Sequence, residues 1–201
     1  MQLHREQVSD AADVLAHGMV DDPAGRWLLP DPDEFLEVHR RVFADLIRLA
    51  LAEGHVDTWG EPIEGVAVWL HRPALGAAQQ PGIQSLGGTR WFPAHAVERL
   101  GRYATVIHQL RELARPDEHV YLDSVAVLPQ ARRQGIASRL LELGHDWADR
   151  AGLPCALETE TASNVAFYAR RGYSVVAELP LPGSGLTVSA MRRAEPGPAA
   201  T

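Results

Sequence analysis

A buried strand that leads directly into an amphipathic helix is the most constraining feature of this sequence. Residues 119–128 form a nearly continuous apolar run, which predicts a central strand covered on both faces, and Pro129 closes it. Residues 132–151 then carry apolar side chains at helical spacing, and Gly152 ends that pattern. A strand followed at once by a helix is typical of α/β proteins.

Helices are predicted before this unit, and strands and helices alternate after it. Apolar spacing predicts one helix after Ser9-Asp10, a longer one that starts near Asp33 and stops at Gly54, and a third over residues 94–114. Other strands are predicted at 56–59, 63–70, 154–158, 173–179 and 186–191. Residues 71–93, rich in Gly, Pro, Gln and Ala, predict an irregular excursion.

The order of these elements predicts the fold class. Helices first, then alternating strands and helices, then a terminal hairpin indicate a single α/β domain over residues 1–193. We expect a mixed central β-sheet with helices on both faces. The Pro-, Ala- and Gly-rich residues 194–201 predict a disordered tail.

Charge and composition exclude several classes of partner. The chain of 201 residues has a net charge of −7, and its basic residues, all Arg, occur in runs of no more than two. Nucleic acid is therefore not expected, because binding phosphates requires clustered positive charge. The histidines and the single cysteine show no metal-ligand spacing. No signal core or run of about 20 apolar residues is present, so we expect a cytoplasmic protein without a membrane partner.

The loop after the buried strand has the properties of a pyrophosphate-binding loop. A loop that opens a helix directs backbone N–H groups outward, and the helix dipole adds partial positive charge. Gly135 allows a ligand to approach the backbone closely, and Arg132 and Arg133 add full charges. The Walker lysine and the three-glycine dinucleotide pattern are absent. An ordinary helix start with surface arginines explains this segment equally well.

A second block of polar residues lies on a short predicted helix. Asn164 and Tyr168 are four residues apart and so share one face of that helix, and Gly172 follows as its end. Taken alone, a helix cap at Asn164 or Ser163 and a core position for Tyr168 are the simpler interpretations.

Together the two blocks resemble the GNAT family of N-acetyltransferases. Three residues match the family's Gln/Arg-x-x-Gly-x-Gly/Ala loop: Arg132, Gly135 and Ala137. Four match its later Asn, Tyr and Gly-Phe/Tyr positions: Asn164, Tyr168, Gly172 and Tyr173. The resemblance is strongest over residues 119–193, and it is closest to puromycin N-acetyltransferase-like members. Ala137 departs from the Gly that many members have there.

The resemblance implies a reaction and a set of binding residues. It implies that acetyl-CoA is the cosubstrate and that its acetyl group passes to a primary amine of a small molecule, with a homodimer as a common arrangement. Cofactor binding is then assigned to the strand end, the loop, the first helical turn and the later cap: Val125, Ala126, Val127, Arg132, Arg133, Gln134, Gly135, Ile136, Ala137, Ser138 and Asn164. Tyr168 takes the role of general acid that protonates the departing thiolate.

The base that deprotonates the amine is open among three carboxylates. Asp123 is the first candidate, since it interrupts an apolar strand and by the two-residue period shares a face with Tyr121, Val125 and Val127. Some relatives place a carboxylate at the matching position, although a structural, hydrogen-bonded Asp is an equal alternative. Glu158 is the second candidate and Glu160 the third.

The acceptor itself is not identified by the sequence. Trp27 and Trp91 lie where related proteins form the acceptor site, although ordinary packing explains both. Two other functions also fit, namely a non-catalytic acyl-CoA-binding or sensing domain and a protein N-acetyltransferase.

Overall fold

The computed structural model describes residues 3–73, 89–114 and 118–195. Its centre is a sheet of six strands: β1 (Gly54–Trp59), β2 (Gly65–Arg72), β3 (His119–Val127), β4 (Cys155–Thr159), β5 (Tyr173–Leu181) and β6 (Leu186–Arg193). Their order is β1-β2-β3-β4-β6-β5, and β3 with β4 is the parallel pair among antiparallel ones. The mixed sheet predicted from the alternation of elements is confirmed.

Helices cover the sheet on both faces, as predicted. They are α1 (Val8–Met19), α2 (Pro23–Leu28), α3 (Pro32–Glu53), α4 (Ala94–Ala114), α5 (Ile136–Ala151) and α6 (Ala162–Ala169), with short 3₁₀ turns at Arg5–Gln7 and Pro129–Ala131. On one face α1 and α3 bury Val66, Val68 and Leu70 of β2. On the opposite face α5 packs over Trp69, which is fully buried.

Close packing of α5 on the sheet depends on Gly144, which has no side chain. A Cβ at Gly144 would lie 2.0 Å from Cε2 of Trp69, far inside van der Waals contact. The indole ring therefore fills the space that any other residue at position 144 would need.

The two central strands are paired over a very short length. β3 and β4 pair at Val120 with Cys155 and at Tyr121 with Ala156, although the structure describes every residue of both strands. Beyond this point, Leu122 and residues 124–127 of β3 remain paired with β2 on their other side. One edge of the C-terminal half of β3 is thus left for another hydrogen-bonding partner.

Several helix starts differ from the sequence expectations. α1 begins at Val8 rather than after Ser9-Asp10, and α3 is capped by Asp31 rather than Asp33. Pro23 does not simply break the chain; it is the first residue of α2, and Asp22 caps that helix by accepting from the backbone N–H of Gly25. Proline is favoured at the first helical position because its missing N–H would have no partner there.

The helix after the loop also begins later than expected. α5 starts at Ile136, four residues after Arg132, and Gly135 precedes it in the left-handed conformation with φ of 82°. Most of the irregular segment predicted over 71–93 and nearly all of the predicted tail lie outside the described residues, which exclude 74–88 and 196–201.

Candidate active site

The pyrophosphate loop of the sequence analysis lies at the C-terminal end of β3. Arg133 has φ of 62° and Gly135 has φ of 82°, so the backbone turns sharply before α5. Nothing lies within 4 Å of where a Cβ of Gly135 would stand. The turn therefore presents bare backbone to open space at the start of a helix, which is the arrangement that suits an anionic group.

Arg132 has a different role from the one that its charge suggested. Its guanidinium donates to the carbonyl oxygen of Gly18 at 2.9 Å and to that of Val127 at 3.3 Å. Arg132 thus ties the loop to the end of α1 and to β3. Arg133 does not share these bonds, and its side chain is exposed at the surface of the loop.

The first turn of α5 and the end of α6 are linked through Arg171. Its guanidinium donates to Oγ of Ser138 and to the carbonyl oxygen of Phe167, and it stacks over the Phe167 ring. α6 is capped by Thr161, whose Oγ1 accepts from the backbone N–H of Asn164 at 3.1 Å. The cap predicted at Ser163 or Asn164 is therefore wrong, and the amide side chain of Asn164 is not used as a cap.

Tyr168 is buried beside the loop. Only 8% of it is exposed, and it packs in one cluster with Ile136 and Leu157, against which Val125 also lies. Burial, reinforced by the negative charge of Glu160, raises the pKa of Tyr168 well above its usual value. Its phenol is therefore protonated at neutral pH and can act as a proton donor.

Asp123 lies at an irregularity in β3. Leu122 pairs with Trp69 and Ser124 pairs with Val68, so Asp123 is the extra residue of a bulge. The predicted common face is therefore wrong, because Tyr121 packs with α1 and α3, whereas Val125 and Val127 pack on the α5 side. Asp123 accepts a hydrogen bond from Oγ of Ser124 at 3.0 Å, and burial raises its pKa.

Glu158 is a buried carboxylate with strong partners. The hydroxyl of Tyr121 donates to it at 2.5 Å, and Nε of Arg111 lies 3.6 Å from it. Burial raises the pKa of Glu158, but the Arg111 charge and the Tyr121 hydrogen bond act in the opposite direction. Arg111 also stacks over the Tyr121 ring at 4.8 Å, so these three residues form a compact, charge-compensated group.

Glu160 follows β4 and has no such compensation. Its carboxylate accepts from the hydroxyl of Tyr103 at 2.7 Å. Burial is the main cause that raises the pKa of Glu160 to about 7, and the nearby negative charge of Asp22 adds to it. A carboxyl group with this pKa exchanges protons readily at neutral pH, which the ordinary carboxylates of the surface do not.

Sequence reasoning did not identify Asp22 and Tyr103 as parts of this site. Tyr103 reaches it from the middle of α4, where its hydroxyl donates to Glu160, and the negative charge of Asp22, the cap of α2, adds to the raised pKa of Glu160. Trp27, a predicted candidate, lies beside Tyr103 and donates from Nε1 to the carbonyl oxygen of Gly183. The other candidate, Trp91, instead donates to Asp45 of α3.

The described part of the chain offers neither a metal-ion cluster nor a membrane-spanning helix. Within residues 3–73, 89–114 and 118–195, no group of three or more His, Cys, Asp or Glu side chains is placed to hold a metal ion. Over the same ranges, none of the helices is both long and apolar enough to cross a membrane.

Comparison with known proteins gives a family match and several structural matches. Residues 100–173 match the sequence model of the acetyltransferase (GNAT) family. A Corynebacterium glutamicum structure described as histone acetyltransferase HPA2 and related acetyltransferase is 22% identical, with a TM-score of 0.67 over 100% of this chain and 97% of that one.

Two insect enzymes also share the fold. Arylalkylamine N-acetyltransferase 2 of Aedes aegypti is 10% identical, with a TM-score of 0.69 over 96% of this chain and 97% of that one. Polyamine N-acetyltransferase of Drosophila melanogaster is 12% identical, with a TM-score of 0.61 over 95% and 96% of the two chains. These matches do not single out the puromycin N-acetyltransferase-like subgroup. Over residues 100–173 the chain thus resembles the acetyltransferase (GNAT) family, and its six-stranded mixed sheet is the fold that it shares with these structures.

Proposed function

We propose that this protein transfers the acetyl group of acetyl-CoA to a primary amine of a small molecule by direct attack of the amine. The observation that carries the proposal is the gap between β3 and β4, where the pairing ends at Tyr121 with Ala156. An extended amide-bearing chain such as pantetheine can complete the free edge of β3 as an added strand would. The family implies the use of acetyl-CoA.

The residues around the gap fit this cosubstrate. The backbone of Val125, Ala126 and Val127 would pair with the pantetheine amides. The loop and first helical turn would hold the pyrophosphate through backbone N–H groups, with Arg133 adding charge. The residues assigned to this part of the ligand are Arg133, Gln134, Gly135, Ile136, Ala137 and Ser138, with Arg132 holding the loop in shape. Asn164 lies on α6 and is assigned to the amide region.

Tyr168 is proposed as the general acid. As the bond from the acetyl carbon to sulfur breaks, the Tyr168 hydroxyl gives its proton to the departing thiolate. Val125, on the strand edge that is assigned to pantetheine, packs against the same apolar cluster as Tyr168, which supports this role. The raised pKa keeps the phenol protonated until that moment.

Glu160 is proposed as the general base, ahead of the two carboxylates favoured by sequence. Its pKa of about 7 suits removal of a proton from an ammonium group, and within the described residues its carboxylate accepts a hydrogen bond from the Tyr103 hydroxyl. Glu158 is engaged by Tyr121 and Arg111, and Asp123 sits in a strand bulge. These two are proposed to shape the site rather than to carry the proton.

The acid and the base are coupled through charge. The negative charge of Glu160 contributes to the raised pKa of Tyr168. When Glu160 takes the proton of the amine it becomes neutral, so Tyr168 becomes a stronger acid just when the thiolate needs a proton. The amine nitrogen then forms its bond to the acetyl carbon, the bond from that carbon to sulfur breaks, and the thiolate takes the proton of Tyr168. The second proton, which the nitrogen must lose to become a neutral amide, restores the Tyr168 hydroxyl.

The small-molecule acceptor is supported by the names of two relatives with the same fold. One is an arylalkylamine N-acetyltransferase, and the other is a polyamine N-acetyltransferase that forms N-acetylagmatine. Both names describe small amines. Acceptors of the puromycin type belong to the same chemical class and remain part of the proposal.

Mass spectrometry with acetyl-CoA and a panel of amines tests the proposed function. The panel holds arylalkylamines, polyamines, amino acids, puromycin and short peptides with free amino termini. We expect small primary amines to gain an acetyl group with release of one free CoA each. Acetylation of peptides alone would replace the proposal by a protein N-acetyltransferase, and acetyl-CoA binding without any acetylated product would replace it by a sensing domain.

A further inference from the structure

The hydroxyl of Tyr103 is bonded to the carboxylate that is proposed as the general base. Tyr103 lies in the middle of α4, and Glu160 follows the end of β4, 57 residues further along the chain. The hydroxyl donates to Oε1 of Glu160 at 2.7 Å. A neutral donor thus holds one oxygen of the carboxylate, and a hydrogen bond of this length restricts how the carboxylate can rotate.

The ring of Tyr103 is itself held by the core of the protein. It packs against the apolar cluster of α2, α3 and α4 and also against the apolar cluster of α4, β5 and β6. Trp27 packs against the same two clusters, and its indole N–H donates to the carbonyl oxygen of Gly183 at 3.1 Å. Because packed side chains of this kind have little freedom to move, the position of the Tyr103 hydroxyl is set by the fold.

Tyr103 is the donor in this hydrogen bond because its phenol keeps its proton. Burial, followed by the negative charge of Glu160, raises the pKa of Tyr103 well above its usual value. Burial also raises the pKa of Glu160 to about 7, and the hydrogen bond from Tyr103 acts in the opposite direction. A hydrogen bond to a carboxylate is stronger when the carboxylate is charged, so this contact favours the form of Glu160 that can accept a proton.

We infer that Tyr103 is a positioning residue of the acetyl transfer, whose hydroxyl holds the carboxylate of Glu160 in one orientation and favours its ionised form. This inference rests on the proposed function and adds a residue that acts through the base. The neighbouring Glu158 accepts from the Tyr121 hydroxyl and also has the charge of Arg111 at 3.6 Å. For Glu160 the donor is the Tyr103 hydroxyl. Without it, the buried carboxyl group would hold its own proton more tightly.

A carboxyl titration followed by NMR tests the inference without any turnover. The protein is made with isotopically labelled glutamate, and the Glu160 signal is the one that Glu160→Gln lacks. We expect Tyr103→Phe, which keeps the ring, to raise the Glu160 pKa by about one unit, as loss of a hydrogen bond to a charged group does. Tyr173→Phe removes the hydroxyl of another buried tyrosine, bonded to His145 at 3.0 Å, and should leave that pKa unchanged.

The groups that act on Glu160 define what this comparison measures. They are Tyr103 of α4, Glu158 of β4, Tyr168 of α6 and Asp22, the cap of α2. Tyr103→Phe changes only the first of them, so a raised pKa in that variant reports the lost hydrogen bond. A Glu160 pKa that stays the same or falls in Tyr103→Phe would overturn the inference.

Turnover of phenylethylamine gives a second readout that a merely structural role of Tyr103 would not move. At about pH 6, Tyr103→Phe should lower kcat/KM about tenfold, whereas at about pH 9 Glu160 is ionised in both proteins and the values should approach each other. KM for acetyl-CoA should not change. In the Glu160→Gln background, Tyr103→Phe should add no further loss, because its effect passes through Glu160. A loss that does not grow on acidification would overturn the inference.

The two measurements distinguish failure of this inference from failure of the proposed function. If the wild type acetylates amines but Tyr103→Phe leaves the Glu160 pKa unchanged, the inference alone fails. If no amine in the panel is acetylated, the proposed function fails, and the NMR titration still decides whether Tyr103 controls the protonation of Glu160.

Discussion

At the scale of single residues, burial raises the pKa of two groups of this site. The raised pKa suits one of them to donate a proton and the other to accept one. The pKa of Tyr168 and that of Glu160 are both raised, chiefly because burial disfavours their charged forms. For the phenol this means that it stays protonated and can donate. For the carboxyl group, a pKa of about 7 means that it stands ready to accept a proton near neutral pH.

Replacing Tyr168 by Phe should remove the acid and keep the packing. The ring still fills its place against Ile136 and Leu157, so acetyl-CoA binding should hardly change. We expect kcat to fall about 100-fold, which is typical for loss of a general acid. Steady-state kinetics and an acetyl-CoA titration measure the two effects. Tyr173→Phe, the same change at a buried tyrosine bonded to His145, should leave kcat near that of the wild type.

Replacing Glu160 by Gln should remove the base. We expect kcat/KM at neutral pH to fall about 100-fold and its acidic limb, which the wild type shows near the Glu160 pKa of about 7, to disappear. Rates measured between about pH 5.5 and about pH 9 test this. Glu53→Gln is the control at an exposed site of equal charge. If Asp123→Asn or Glu158→Gln abolishes the limb instead, the base is one of those residues.

At the scale of secondary-structure elements, the contact between α5 and the sheet depends on Gly144. A Cβ there would overlap the buried Trp69 ring, so Gly144→Ala should lower the free energy of unfolding by about 1–3 kcal/mol despite the better helix propensity of Ala. Gly101 in α4 has nothing within 4 Å of its Cβ position. Gly101→Ala should therefore raise stability by about 0.5–1 kcal/mol. Urea unfolding compares the two, and equal effects would contradict the packing argument.

The sequence predicts elements well where periodicity decides them. The apolar run of β3 and the helical spacing of α4 lie within a residue of their predicted bounds. The first residues of helices are harder to predict. By residue type Asp22, Asp31 and Asp33 are equally plausible caps, and the folded backbone determines which of them caps a helix.

The residues of the candidate site likewise differ in how well the sequence predicts them. The loop and Tyr168 are recognisable from the sequence because each lies in a short local motif. Tyr103 of α4 meets Glu160 through a contact between residues that are distant in the sequence, and no local pattern predicts such a contact. The bulge at Asp123 depends on the register against β2, so the two-residue period gave the wrong face.

At the scale of the whole molecule, stability should depend on pH through buried histidine. His39 is 8% exposed and stacks on Phe35, and burial lowers its pKa from 6.5 to about 4. Above pH 6.5 neither the folded nor the unfolded form protonates it. As the pH falls from 6.5 toward 4, only the unfolded chain takes up the proton, so folded wild type loses about 1.4 kcal/mol per pH unit from this group.

Comparison with His39→Leu isolates this effect. Other titrating groups, His145 among them, are present in both proteins and cancel in the difference of their unfolding free energies. That difference should be constant above about pH 6.5 and should move in favour of the variant on acidification. Urea unfolding at several pH values measures it. A difference that does not change with pH would show that His39 titrates alike in both states.

The short pairing between β3 and β4 also affects the stability of the sheet. The sheet consists of two leaves of three strands, β1 to β3 and β4 to β6, joined along a seam of two residue pairs. A ligand that lies in the gap between β3 and β4 and forms hydrogen bonds to the strands on both sides stabilises the folded sheet. At a concentration 100 times its dissociation constant such a ligand contributes about 2.7 kcal/mol to folding. We therefore expect the resistance of this protein to heat to rise with the concentration of the proposed cosubstrate.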